Sequence, residues 1–256
     1  MLSLLDATVP YIELFKGIRL STRPDYINDE VLLLLKKYNV TTIELGAQSM
    51  NDEVLKANKR GHNALDVVKA SNLIKSYGFN LGLQMMTGLY KSDYNSDLYT
   101  ANEFIKLKPD CVRIYPTVVM KNTELETLYI KGLYVPMTLS ESVELCSEII
   151  TLFYKNSIDV IRVGLHYSDS LKENDVAKNY HPAFKELCES KIFLNKILSE
   201  VKNYDSKDFT VYVNKKSLSK AIGQNKTNIK ELNNLGYNVV FKTDNNLSKY
   251  DILINR

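Results

Sequence analysis

The sequence predicts an α/β protein: a large part built on parallel strands joined by helices, then a small C-terminal α/β module. Three observations carry this reading. Short runs rich in Val, Ile and Leu alternate with helical patterns from Gly17 to His166. The helical patterns are long enough to serve as right-handed crossovers between parallel strands. Over its last fifty or so residues the chain becomes dense in lysine and asparagine, which marks a change of module.

In chain order, "MLSLLDATVPYIELFKG" reads as an amphipathic helix on Leu2, Leu5, Val9 and Ile12 that feeds the first strand with no strand before it. Strands are expected at 17–22, 41–46, 79–85, 111–115 and 159–165, and helices at 28–37, 51–59, 63–77, 95–107 and 140–156. Asn28 before Asp29 and Glu30, and Ser140 before Glu141, combine an N-cap residue with first-turn carboxylates, which the helix dipole favours. The segment 184–206 reads as a helical linker hinged at Tyr204, Asp205 and Ser206. Beyond it, "FTVYVNKKSLSKAIGQNKTNIKELNNLGYNVVFKT" reads as strand, helix, tight turn, helix, strand. The expected divisions are therefore 1–183, 184–206 and 207–256.

Composition narrows the function classes. The chain has 256 residues and 45% apolar content, enough for a real core. No run of about eighteen uncharged apolar residues occurs, so no spanning helix is expected. The N-terminal stretch has no basic region and carries Asp6 and Glu13 within its apolar part, unlike a signal peptide. A cytoplasmic protein is the expectation. A net charge of +3 is too mild to argue for nucleic acid or membrane. Cys111, Cys146 and Cys188 are widely spaced with no CxxC pair, and are expected to be buried thiols holding no metal.

In parallel α/β folds, ligands gather at the carboxyl ends of the strands. Here those ends read Ser21-Thr22-Arg23, Gln48-Ser49, Gln84-Met85-Met86, Tyr115-Pro116-Thr117 and His166. Each one alone is also an ordinary polar end to a strand; together they form a candidate rim. No phosphate loop or catalytic triad is visible.

The segments "IRLSTRPDYI", "IELGAQSMNDEVLKANKRGH", "GLQMMTGL" and "RIYPTVVMKNTELETLYIKGLYVP" resemble the radical S-adenosylmethionine (SAM) superfamily, in the branch of the Elongator catalytic subunit and its short bacterial relatives. The resemblance runs from about Leu2 to Phe193. It implies a partial (β/α)6-type parallel barrel missing its first βα units, where relatives carry the CxxxCxxC loop that binds a four-iron four-sulfur cluster. It also implies cofactor-binding roles for Ser21, Gln48, Arg60, Gln84 and Tyr115, with Arg60 pairing the SAM carboxylate and Gln48 contacting the cofactor. An amide suits ribose hydroxyls, and a guanidinium suits a carboxylate. His166 is implied to face the substrate. Where the short relatives show a glycine-proline pair before "HPAF", this chain has Lys178, Asn179 and Tyr180.

"AIGQNKTNIKEL" resembles the KH fold, whose GxxG loop clamps a nucleic-acid backbone. Gly223 keeps the first glycine, and Lys226 stands where the second would be. Lys215, Lys216, Lys220, Lys226 and Lys230 add a basic surface. A solvated lysine-rich helical hairpin is the plainer alternative.

In the intact family the cluster reduces SAM and the resulting 5'-deoxyadenosyl radical abstracts hydrogen from the substrate. The first expectation is part of a radical SAM enzyme acting on tRNA or other RNA, inactive alone because the cluster ligands are absent. The alternative is a non-catalytic RNA-binding remnant. An exposed edge on the first strand is further expected to make the chain self-associate or only marginally stable.

Overall fold

The computed structural model describes residues 2–255. The chain enters through α1 (Leu2–Asp6) and reaches β1 (Ile18–Thr22), α2 (Asp29–Lys37) and β2 (Val40–Gln48). α3 (Asp52–Ala57), α4 (Ala64–Ser76), β3 (Asn80–Thr87), α5 (Tyr94–Leu107) and β4 (Cys111–Pro116) follow. Next come α6 (Glu124–Ile130), α7 (Leu139–Lys155), β5 (Asp159–Val163) and α8 (Asp169–Asn174). The five strands form one sheet in the order β1-β2-β3-β4-β5, every pair parallel. All five expected strands and the crossover helices between them are present.

Helix starts follow local chemistry. The Asn28 side chain accepts from Val31 N at 2.9 Å, and Asn63 with Asp66 and Asp93 with Ser96 form reciprocal capping boxes. Strand residues divide by parity, since successive side chains point to opposite faces. Ile43, Leu45, Leu81, Leu83, Val112 and Ile114 are at most 1% exposed and form the apolar face, against which α2, α4 and α5 pack. The other parity reads Arg19 and Ser21, Glu44, Gly82 and Gln84, then Cys111, Arg113 and Tyr115. A parallel sheet usually reads apolar on both faces. This one carries charge and amides on its second face, which is what makes it a site.

Some expectations change, beginning with Ser140, which lies inside α7 and not at its N-cap. The single N-terminal helix is instead α1 and a 3-10 turn at Val9–Leu14. Pro10 has no N–H to continue an α-helix, and Thr8 Oγ1 closes on Leu5 O at 2.7 Å. Of the proposed stripe Leu5 is buried, while Leu2 and Val9 are exposed. The fifth strand ends at Val163 rather than residue 165, because Gly164 takes φ +79 and turns the chain out. An eighth strand, β8, was not anticipated and is described next.

Compact grouping of the chain gives two units, 1–138 with 152–180, and 139–151 with 181–256. The second contains α9 (Phe184–Val201), β6 (Asp208–Val213), α10 (Leu218–Ile222), α11 (Thr227–Asn234), β7 (Asn238–Thr243) and β8 (Ile252–Asn255). Its sheet runs β7-β6-β8, with β7 parallel and β8 antiparallel to β6. The segment 184–201, read from sequence as a linker, packs as α9 against α10, α11 and β8. Its apolar stripe, including Cys188, Ile192 and Ile197, is buried. The unit's interior carries a charged cluster: Glu189, 1% exposed, lies 2.5 Å from Lys220 Nζ and 3.1 Å from Lys249 Nζ, and accepts from Tyr250 Oη at 2.7 Å. Burial pushes the Glu189 carboxyl up, but the hydrogen bonds from Lys220 and Tyr250 outweigh it and hold it below the ordinary value.

Candidate functional site

The carboxyl ends of β1 and β2 collect cations and amides. Gln48 closes β2 in the left-handed region, φ +65, and is buried. Two donors hold the turn on the Ala47 carbonyl: Ser49 N at 2.8 Å and His62 Nε2 at 3.1 Å. Gln84 Nε2 donates to Gln48 Oε1 at 3.3 Å, which ties the ends of β2 and β3 together. Arg23 forks onto Asp25 (2.9 and 2.7 Å) and stacks over Tyr26. Gly61, φ +76, leaves the Arg23 guanidinium room, since a Cβ there would lie 2.5 Å from Nη2.

Arg60, in the loop after α3, is half-buried, and its Nε has no partner among the described residues. Burial and then the nearby Arg23 lower its pKa. A guanidinium in that state keeps a donor free for an anion.

Gln84, Tyr115 and His166 line one cleft of about 550 Å³, together with Met86, Met120 and Leu171. The cleft is apolar-walled with a few convergent polar groups, as small-molecule sites usually are. Ser21 does not line it; its hydroxyl donates to Glu44 Oε2 at 3.2 Å. The structure thus brings Gln84, Tyr115 and His166 to one cleft and attaches Gln48 to it, with Arg60 at the neighbouring strand ends. Gly223 and Lys226 belong to the other unit.

Sequence reading missed the floor of this face. Glu44, 2% exposed, takes Arg19 Nη1 at 2.5 Å and Arg113 Nη2 at 3.1 Å on Oε1, with Arg113 Nε 2.9 Å from Oε2. Glu44 reaches Arg113 across β3 because Gly82 lies between them; a Cβ there would meet Glu44 Cγ at 2.5 Å. Arg113 Nη1 in turn lies 3.3 Å from Tyr115 Oη. The missed signal was parity, since Arg19 and Arg113 lie two residues before Ser21 and Tyr115 and so share their face.

The loop after β3 is fastened from two sides. Asp97 accepts from Gly88 N at 2.7 Å and Ser92 Oγ at 2.5 Å, while Tyr134 Oη donates to Gly88 O at 2.6 Å. Burial pushes the Asp97 carboxyl up to about 6, against those two hydrogen bonds.

In the other unit, the turn between α10 and α11 has Gly223 at φ +82, Asn225 at φ +53 and Lys226 at φ +61. A Cβ on Gly223 would lie 2.4 Å from Thr227 Oγ1 and 2.9 Å from Asn228 N, so glycine is required there. Lys226 holds a left-handed conformation at the position of the missing second glycine. Lys215, Lys216, Lys226 and Lys230 are exposed. Lys220 is not available as basic surface in the same way, because it pairs with Glu189.

Cys111, Cys146 and Cys188 are buried, the first in one unit and the other two in the second. Among the described residues no three His, Cys, Asp or Glu side chains converge to hold a metal ion, and no helix is long and apolar enough to cross a membrane.

A parallel βα sheet with a cation-and-amide rim at its strand ends defines an α/β protein with a candidate binding face, and family comparison narrows the class. Residues 4–98 match the Radical SAM superfamily and residues 109–193 its Radical_SAM C-terminal domain. The chain belongs to the radical SAM superfamily. It is 35% identical over 131 residues to a tRNA uridine(34) acetyltransferase of Methanocaldococcus jannaschii, covering 50% of this chain and 24% of that protein. It is 33% identical over 139 residues to human Elongator complex protein 3, covering 53% and 25%. Among solved structures, the archaeal Methanocaldococcus infernus Elp3 with an N-terminal deletion matches with a TM-score of 0.62 at 27% identity, over 70% of this chain and 42% of that one. The chain therefore spans about a quarter of the length of these curated relatives.

Proposed function

We propose that this chain supplies the SAM-facing wall of a radical SAM enzyme that modifies tRNA or other RNA. The observation that carries the reading is Arg60: a half-buried guanidinium whose Nε has no protein partner, at the strand ends that also present Gln48. Arg60 would take the methionine carboxylate. Gln48 and Gln84, already linked, would take the ribose hydroxyls, Tyr115 would border the adenine, and His166 would stand on the substrate side of the cleft. Ser21 acts on Glu44 instead of on the cofactor. When bound beside a reduced four-iron four-sulfur cluster, SAM supplies the one-electron chemistry of this superfamily. The chain's own cysteines do not fit such a cluster, because they are buried and divided between the two units. By itself the polypeptide is therefore proposed to bind the cofactor without turnover.

S-adenosylhomocysteine has the same carboxylate, ribose and adenine, and calorimetric titration of the full chain with it tests the reading. Arg60→Ala is expected to weaken binding about 10- to 100-fold, the range of a hydrogen bond to a charged group. An unchanged Kd in that variant would remove Arg60 from the site.

A second reading, a non-catalytic RNA-binding remnant, is favoured by the exposed lysines around the left-handed turn at 225–226. It would make the second unit KH-like in use. Lys226→Glu should weaken labelled tRNA binding and flatten the salt dependence by about one unit of slope. Equal slopes in both chains would dismiss a phosphate contact at Lys226. Self-association through β1, which lies at the sheet edge, remains part of this proposal.

A further inference from the structure

We infer that Tyr115 donates a hydrogen bond to an acceptor atom of the bound adenosyl group, and that Arg113 and Glu44 are positioning residues that aim it. The inference rests on the cofactor reading above. Its argument is directional. A guanidinium has donors and no acceptor. Where Arg113 Nη1 meets Tyr115 Oη at 3.3 Å, the phenol oxygen must accept. The phenol's own hydrogen is then left for another partner, and Tyr115 lines the cleft that also presents Gln84 and His166.

Arg113 cannot readily swing away to reverse this polarity. Glu44 holds it through two contacts, at 3.1 and 2.9 Å, and Glu44 is itself held by Arg19 at 2.5 Å and Ser21 at 3.2 Å. Gly82 keeps open the gap through which the Glu44 side chain crosses β3. Arg113 thus donates in both directions, to the buried carboxylate of Glu44 and to the phenol oxygen of Tyr115. The cleft then favours a ligand that offers a ring nitrogen or an oxygen lone pair to Tyr115, over one that offers an N–H.

The test is calorimetric titration of the full chain with S-adenosylhomocysteine, using wild type, Tyr115→Phe, Glu44→Gln, the double variant, and Arg60→Ala as a control for the site. Tyr115→Phe is expected to weaken binding about five- to tenfold, the value of one hydrogen bond. Glu44→Gln should weaken binding in the presence of Tyr115 and add nothing on the Tyr115→Phe chain, because it acts through that hydroxyl. A merely structural Glu44 would give additive losses, and that result overturns the positioning role. If Tyr115→Phe binds like wild type while Arg60→Ala is weakened, the inference falls and the cofactor site stands. If wild type gives no binding heat and no shift in melting temperature, both fall. Should Glu44→Gln fail to fold by thermal melting, Arg113→Lys carries the same cycle, since it keeps the charge and loses the planar fork.

Discussion

Glu44→Ala is expected to lower the unfolding free energy of the chain by about 3 kcal/mol, the low end for breaking a buried ion pair by removing one partner. The low end applies because the side chains of Arg19 and Arg113 keep 40% and 28% of their accessibility, so water screens part of the charge left behind. Two guanidiniums that now share one carboxylate would face each other across Gly82. Removing Arg113 as well, as Glu44→Ala with Arg113→Leu, should recover part of the loss, since no second buried charge then lacks a partner. Urea unfolding followed by circular dichroism measures both. A midpoint unchanged by Glu44→Ala would mean that this cluster contributes nothing to the fold.

Glu189→Ala is expected to cost the second unit a similar amount, about 3 kcal/mol, because it leaves Lys220, Lys249 and the Tyr250 hydroxyl without their common acceptor. The pH dependence has a definite sign. The folded carboxyl lies below its ordinary 4.5, so between the two values the unfolded chain binds more protons. The stabilisation is present above about pH 4.5 and is lost as the pH falls through the folded value. Amide hydrogen exchange along β6 and β7 in the full chain should show protection falling with acid in wild type and a flatter profile in Glu189→Gln. Parallel profiles would rule out Glu189 as the group responsible.

Much of the architecture was legible in the residues. Each strand is a short Val/Ile/Leu run, and Asn28 marks a helix start that the structure caps as expected, whereas Ser140 lies inside α7, which starts at Leu139. Local signals of this kind depend on neighbours a few residues apart, which the sequence displays directly. The single N-terminal helix breaks for a local reason too, because Pro10 has no N–H to continue it. β8 went unseen because "ILIN" is four residues whose partner, β6, lies some forty positions earlier. A strand that short is stabilised by its pairing, and the sequence does not show the pairing.

The candidate site was legible only as a set of strand ends. Gln48, Gln84, Tyr115 and His166 could be named from position, and Arg60 from the family motif, yet nothing local showed that Gln48 bonds to Gln84 or that Arg60 Nε lacks a partner. Glu44 is the sharpest case. In "TTIELG" it reads as one charged residue in an apolar strand, and its three partners come from β1 and β4. Sequence alone determined the parallel βα order, the polar parity of the strands and the membership in the superfamily, because periodicity and motif spacing are properties of the chain. Tertiary structure alone decided which charges meet, so that Glu44 joins Arg19 to Arg113 and Lys220 serves Glu189. Those outcomes depend on through-space distances of 2.5–3.1 Å between residues far apart in the chain, set by sheet register and by the space that Gly82 leaves.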